Sequence, residues 1–364
     1  MLERGKISCA QAVYLLINLV GATSIIFLPA ITAQAAQRDS WLTPLLATLP
    51  GIYLALVLSA LGKKFPGQTI IQYLQAVFGF WPGKIVGLLY IFFFLHTNSF
   101  IVREFGELLV TLAMPRTPLL VFHVLLLFLC AWTVRGGLEV LARIMELTIP
   151  AIIILYFVTG ALNAGEFEFV NLLPFLENGV APVIKASFDP IGWRGEIILL
   201  AMFLPYLARP GEGGRCAILA VISVGVILAA DAVTNIAVFG STVARMTFPT
   251  YSLFRQISVA NFLERMESLL IAMSVIGMYG KIALFYYATV LGAAQLANLR
   301  DYRPLVLPVG VILAALSLEV AANSQEIVGY IVKGWPPFSF IFEYLIPTVL
   351  LAVAAVRGMG KNRN

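Results

Sequence analysis

Apolar stretches of about 20 residues follow one another along this chain, each long enough to cross a hydrocarbon core of roughly 30 Å. Short polar loops separate them. Ten can be traced, at 9–34, 41–62, 84–112, 117–135, 140–163, 182–208, 213–239, 266–298, 304–321 and 337–356. Alternating short segments of the barrel type are absent, so the pattern predicts an all-α, polytopic membrane protein. Segment 66–79 is too short and polar to cross and predicts an interfacial helix. Segment 245–265 mixes Tyr251, Phe254 and Phe262 with Arg255, Glu264 and Arg265, which predicts an amphipathic helix lying over a vestibule.

Two of the stretches carry an interruption. The first holds Gly21-Ala22-Thr23-Ser24 and then Phe27-Leu28-Pro29; the sixth holds Asp189-Pro190-Ile191-Gly192-Trp193-Arg194-Gly195 and then Phe203-Leu204-Pro205. A helix break inside lipid leaves N–H and C=O groups unpaired, at a cost that is tolerated where the break lines a buried site. Paired, interrupted spans in corresponding halves point to a transporter-type binding site. The halves fall at about 9–163 and 182–356, within one transmembrane domain covering 1–364.

Composition agrees with the pattern. Hydrophobic residues make up 60% and charged residues 12%, against roughly 45–50% and about 25% in soluble domains. The net charge of +5 is not a nucleic-acid footprint, because no basic run exceeds two residues. The apolar run after Lys6 is too long for a cleavable signal and reads as a retained first span. Lys and Arg are commoner in the loops on the side of the N-terminus, among them Lys63, Lys64, Arg143, Arg209 and Arg215, which predicts that both termini are cytoplasmic. Cys9, Cys130 and Cys216 stand singly and read as small apolar packing residues. Trp41, Trp81 and Trp335 lie near span ends and read as interface anchors. No HExxH, paired-Asp motif, Ser/His pairing or Cys/His cluster suggests an enzyme, a metal or a cofactor.

The Lys6-Ile-Ser-Cys-Ala-Gln11 lead-in, the Gly21 to Pro29 segment, Gly195-Glu196 and Tyr279-Gly280-Lys281, together with the total length, carry a resemblance. The chain resembles the B subunits of spore nutrient-germinant receptors, permeases of the amino acid–polyamine–organocation superfamily. The resemblance implies a LeuT-type 5+5 inverted repeat with broken helices 1 and 6. It implies a subunit of the spore inner membrane that senses a small nutrient such as an amino acid. It also implies an A subunit and a lipoprotein C subunit as partners. In that fold helix eight packs on helix one, where sodium-coupled relatives place a sodium ion; an ammonium from Lys281 there substitutes for the cation.

The candidate ligand contacts are Gly21, Ala22, Thr23 and Ser24 in the first break, Asp189, Ile191, Gly192, Trp193 and Gly195 in the second, and Asn98 in span three. The first offers free N–H groups to a carboxylate; the second offers carbonyls, with Asp189, to an ammonium. Arg103 and Glu107 are i, i+4 and predict an ion pair near the outer end. Glu146, Glu196 and Asp231 are single intramembrane acids, each a proton carrier or the partner of a basic residue. Lys281 is mid-span and pairs with Glu196 or Glu146, or stands in the cation position. Two functions follow: a ligand sensor read by partner subunits, or an active amino acid transporter coupled to protons through Glu196 or Asp231.

Overall fold

The computed structural model describes residues 3, 5–257 and 266–360. Within these the chain is helical, with no strand beyond an isolated parallel bridge between Ile7 and Leu207. The helices are α1 (Cys9–Ala36), α2 (Leu42–Lys64), α3 (Ile70–Phe78), α4 (Phe80–Leu112), α5 (Leu119–Gly136), α6 (Leu138–Leu162), α7 (Ala181–Ala186), α8 (Phe188–Gly195), α9 (Leu200–Phe203), α10 (Gly213–Phe239), α11 (Pro249–Gln256), α12 (Glu267–Leu296), α13 (Val306–Glu319), α14 (Ser324–Gly329), α15 (Trp335–Phe340) and α16 (Ile346–Val356). Among the described residues, eight segments are apolar and long enough to span a membrane. Of the ten predicted stretches, the sixth is divided among short pieces and the ninth, α13, has 14 residues, about 21 Å of helix. The tenth stretch begins earlier than predicted and runs from Ser324 to Val356, interrupted by two π turns at Tyr330–Gly334 and Ile341–Leu345.

The first stretch departs from its expectation. α1 is one unbroken helix of 28 residues, with Gly21, Ala22, Thr23 and Ser24 in its interior. Gly in a helix costs only about 1 kcal/mol relative to Ala, so one Gly does not open it. The Ser24 and Thr32 hydroxyls turn back onto the carbonyls of Val20 and Leu28, a local bond that keeps the polar groups paired inside the helix. Pro29 has no N–H to give to the Ile25 carbonyl. That carbonyl instead accepts a hydrogen bond from Thr250 Oγ1 at 3.0 Å. A capping box of Ser8 and Gln11 starts the helix.

The sixth stretch is broken, one turn later than its sequence suggests. α7 and α8 give way to a 3₁₀ turn at Glu196–Leu199, then α9, then a second 3₁₀ turn at Leu204–Tyr206. A mid-helix 3₁₀ stretch often marks a functional hinge. Its far end is pinned by the N-terminal arm: Ile7 N–H donates to Tyr206 O at 3.0 Å, Ala208 N–H to Ile7 O at 2.8 Å, and Lys6 Nζ to Pro205 O at 2.9 Å.

α3 is the short helix predicted within 66–79. α11 is the predicted amphipathic helix over residues 249–256; Phe262, Glu264 and Arg265 lie outside the described residues. Cys9 and Cys216 are not separate packing residues as read from their isolation in sequence: they form a disulfide, Cα–Cα 5.6 Å, between the first turns of α1 and α10. Spacing along the chain carries no signal for a pair 207 residues apart. Cys130 is the free, buried cysteine.

Candidate functional site

Five helical segments meet around a narrow pocket. α1 supplies Thr23, α4 supplies Thr97, Phe100, Ile101 and Glu104, and α8 with its 3₁₀ extension supplies Trp193 and Glu196. α12 supplies Lys281, and the last span supplies Tyr330, Ile331 and Trp335. The α4 residues stand at i, i+3, i+4 and i+7, so they form one helical stripe. The free volume is about 20 Å³, room for a water molecule but not for a larger ligand. The pocket is closed in this state.

Lys281 organises it. Its Nζ lies 2.7 Å from Glu196 Oε1 and donates to Thr23 Oγ1 at 2.7 Å. Thr23 Oγ1 also accepts from Trp193 Nε1 at 3.0 Å. Both members of the ion pair are almost wholly buried. Glu343 and Arg194 lie alongside, each fully buried. A Cβ on Gly195 would lie 1.9 Å from Glu343 Oε2, and a Cβ on Gly192 2.7 Å from Trp335 Nε1. These two glycines therefore form a bare strip on α8 against which the last span packs. Glu104, Glu196 and Glu343 thus sit close to the cations of Lys281 and Arg194, an excess of one carboxyl group over the cations.

Hydrogen-bonding capacity is left over in the pocket wall. Thr97 Oγ1, Glu104 Oε2, Glu196 Oε2 and Trp335 Nε1 are buried and have no partner. Buried polar groups are nearly always paired, so each orphan marks a place where a ligand or water is expected. The orphans are of both kinds, carboxylate acceptors and N–H or O–H donors.

The other predicted residues fall in separate places. Gly21 and Ala22 line a different, mostly apolar cavity of about 70 Å³ with Asn18, Ile152, Tyr156 and Met273. Ser24 is bonded within its own helix. Asn98 lies on the face of α4 beside the stripe and ties α12 through Ile282 O at 3.2 Å. Ile191 presents its carbonyl to Tyr344 Oη at 2.9 Å. Asp189 is half-buried and does not line the pocket. Glu146 is exposed and accepts from Gln11 Nε2 at 2.8 Å, far from Lys281 in its bonding. Arg103 and Glu107 pair at 2.7 Å and clamp the approach to the last span, through Ala322 O at 3.2 Å and Ser324 Oγ at 2.7 Å. Asp231 has no cationic partner among the described residues and is held by Tyr156, Asn235 and Thr250. Trp335 is buried in the pocket wall and is no interface anchor, whereas Trp81 is exposed.

Sequence reasoning passed over Thr97, Glu104, Tyr330, Trp335 and Glu343 as site residues. The 97-100-101-104 stripe was the available signal. Glu343 had none, because a π turn shifts the register that a 3.6-residue period reads.

One consequence is direct. Gly21→Ala adds a methyl group that meets nothing within 4 Å and raises helix propensity by about 1 kcal/mol. Thermal unfolding of the variant in detergent is expected at or slightly above the parent temperature, with ligand binding unchanged; a large loss of either is the contrary result.

Comparison with known proteins decides the class. Residues 6–325 match the family model described as spore germination protein. The chain belongs to that family. It is 29% identical to spore germination protein KB of Bacillus subtilis (strain 168) over 363 residues, covering 97% of this chain and 95% of the relative. It is 26% identical to spore germination protein A2 of the same organism over 362 residues, covering 97% and 96%. Among solved structures it is similar to MhsT in complex with L-phenylalanine, with a TM-score of 0.68 at 14% identity, covering 98% of this chain and 90% of MhsT. It is equally similar to Mhp1, a nucleobase-cation-symport-1 family transporter closed around bromovinylhydantoin, with a TM-score of 0.68 at 10% identity, covering 98% and 79%. The fold of this spore germination protein is thus the LeuT-type transporter fold, in a permease-like integral membrane protein and not an enzyme.

Proposed function

We propose that this permease-like protein is the nutrient-sensing subunit of a spore germinant receptor, and that a zwitterionic amino acid occupies the pocket around Lys281. The observation that carries the reading is the mixture of orphan groups in one buried pocket. The ligand ammonium meets Glu104 and the free oxygen of Glu196. The ligand carboxylate meets Trp335 Nε1–H, the Thr97 hydroxyl and the Lys281 ammonium. Phe100, Ile101 and Ile331 surround the side chain. A pocket of about 20 Å³ must widen to admit such a ligand. Binding energy therefore favours an opened arrangement, and a ligand shifts a conformational equilibrium only by such differential affinity. The partners that read the shift are an A subunit and a lipoprotein C subunit, in the spore inner membrane with both termini cytoplasmic.

Lys281 takes the place of a coupling cation between α1 and α12, so ligand binding is independent of sodium. The test is calorimetric titration of the purified protein with amino acids, their methyl esters and their N-acetyl derivatives, in sodium and in potassium buffers. Binding is expected only for ligands with both charged ends, and equally in the two salts. Binding of an N-acetyl derivative as tight as that of its parent overturns the assignment of the ammonium end.

A further inference from the structure

Asp231 lies in α10, fully buried and away from the Lys281 pocket. Its surroundings are neutral. Tyr156 Oη donates to Oδ1 at 2.5 Å, and Asn235 Nδ2 donates to Oδ1 at 2.9 Å and to the Asp231 carbonyl at 3.0 Å. Thr250 Oγ1 lies 3.1 Å from Oδ1 and 3.4 Å from Oδ2. Among the described residues no Lys, Arg, His or second carboxylate pairs with it, from α1, α6, α10 or α11. Tyr156 is the one titratable group in hydrogen-bond contact.

The hydrogens can be counted. Thr250 has one hydroxyl hydrogen. The Ile25 carbonyl, deprived of its helical donor by Pro29, takes that hydrogen at 3.0 Å. Thr250 Oγ1, which accepts from Asn235 Nδ2 at 3.3 Å, then faces both Asp231 oxygens with no hydrogen left to give them. Acceptor against acceptor in a buried setting is repulsive, and an unpaired carboxylate there is costly. One added hydrogen resolves the arrangement. Oδ1 is already filled by Tyr156 and Asn235, so the hydrogen sits on Oδ2 and is donated to Thr250 Oγ1. The chain of bonds then runs from Asp231 through Thr250 to Ile25.

We propose that Asp231 is a proton-binding site, occupied in this closed state, whose proton leaves the Thr250 hydroxyl free to fasten α11 onto α1 at the Ile25 carbonyl. The site is independent of the amino acid pocket. Loss of the proton turns the Thr250 hydrogen from the Ile25 carbonyl to the carboxylate, and α11 separates from α1. Rising pH therefore favours the separated form, and falling pH the closed form.

The experiment uses the full-length protein in detergent or vesicles. Infrared difference spectroscopy between low and high pH reads the carbonyl stretch of a protonated carboxylic acid. A band is expected in the wild type that is lost in Asp231→Asn and displaced in frequency, but retained, in Tyr156→Phe. A spin label on Ser252→Cys in α11 reads the latch: its mobility rises with pH in an otherwise wild-type chain and stays low and constant when Asp231→Asn is added. A carboxyl region unchanged by Asp231→Asn overturns the proposal. So does equal pH-dependent mobility with and without Asp231→Asn. Loss of the band on adding sodium at constant low pH also overturns it, since it makes the site a metal-ion site.

Discussion

Lys281→Met is expected to lower the unfolding free energy by about 3–5 kcal/mol, the usual cost of removing one member of a buried ion pair. The reason is the local charge balance. Lys281 is the group that bonds Glu196 and Thr23 at 2.7 Å each, and Glu104 and Glu343 lie nearby with Arg194 as the remaining cation. Without the ammonium, Glu196 is left as an uncompensated buried charge. Chemical denaturation in detergent checks the figure. Adding Glu196→Gln to the variant removes the stranded charge and is expected to restore most of the loss. If the double variant is no more stable than Lys281→Met, the cost comes from packing and the ion-pair account fails. Nutrient-triggered germination of spores carrying Lys281→Met is expected to be lost, since both the pocket and the α1–α12 contact depend on this side chain.

Glu104→Gln separates binding from stability. Glu104 Oε2 has no partner in the closed state, so its removal as a charge releases no bond inside the protein. A hydrogen bond to a charged group contributes roughly 1.5–3 kcal/mol. Amino acid affinity is thus expected to fall on the order of 10- to 100-fold, while the unfolding temperature stays close to that of the parent. Glu146→Gln is the matched control: Glu146 is exposed and bonded to Gln11, and its replacement is expected to leave affinity unaltered. Equal losses in the two variants place the ligand elsewhere.

The class and much of the architecture were legible in the order of the residues. The hydrophobic stretches predicted helices that the structure contains, including the amphipathic α3 and α11. The LeuT-type fold came from the resemblance and not from periodicity. The site was legible in part. Trp193, Glu196 and Lys281 do converge with Thr23, because charged groups deep in apolar spans have few places to go except toward one another. The break in α1 was misread: Gly21 and Pro29 are signs of a weak helix, and tertiary contact from Thr250 decided the outcome. Gly192 and Gly195 were read as ligand contacts through an unwound backbone. They are instead a smooth strip for Trp335 and Glu343, and nothing in a single sequence reports which neighbour a glycine accommodates. The positions of Glu343 and Trp335 depend on π turns, whose extra residue per turn leaves no periodic trace.

The unbroken α1 has a mechanical consequence. Transport proteins that part a divided first helix can tilt its two pieces separately; a single rod of 28 residues can only move whole. Its foot is fastened to α10 by the Cys9–Cys216 bridge, so α1 and α10 swing together as one beam. Widening of the Lys281 pocket is then the work of the opposite wall, where the last span glides along the bare strip of α8.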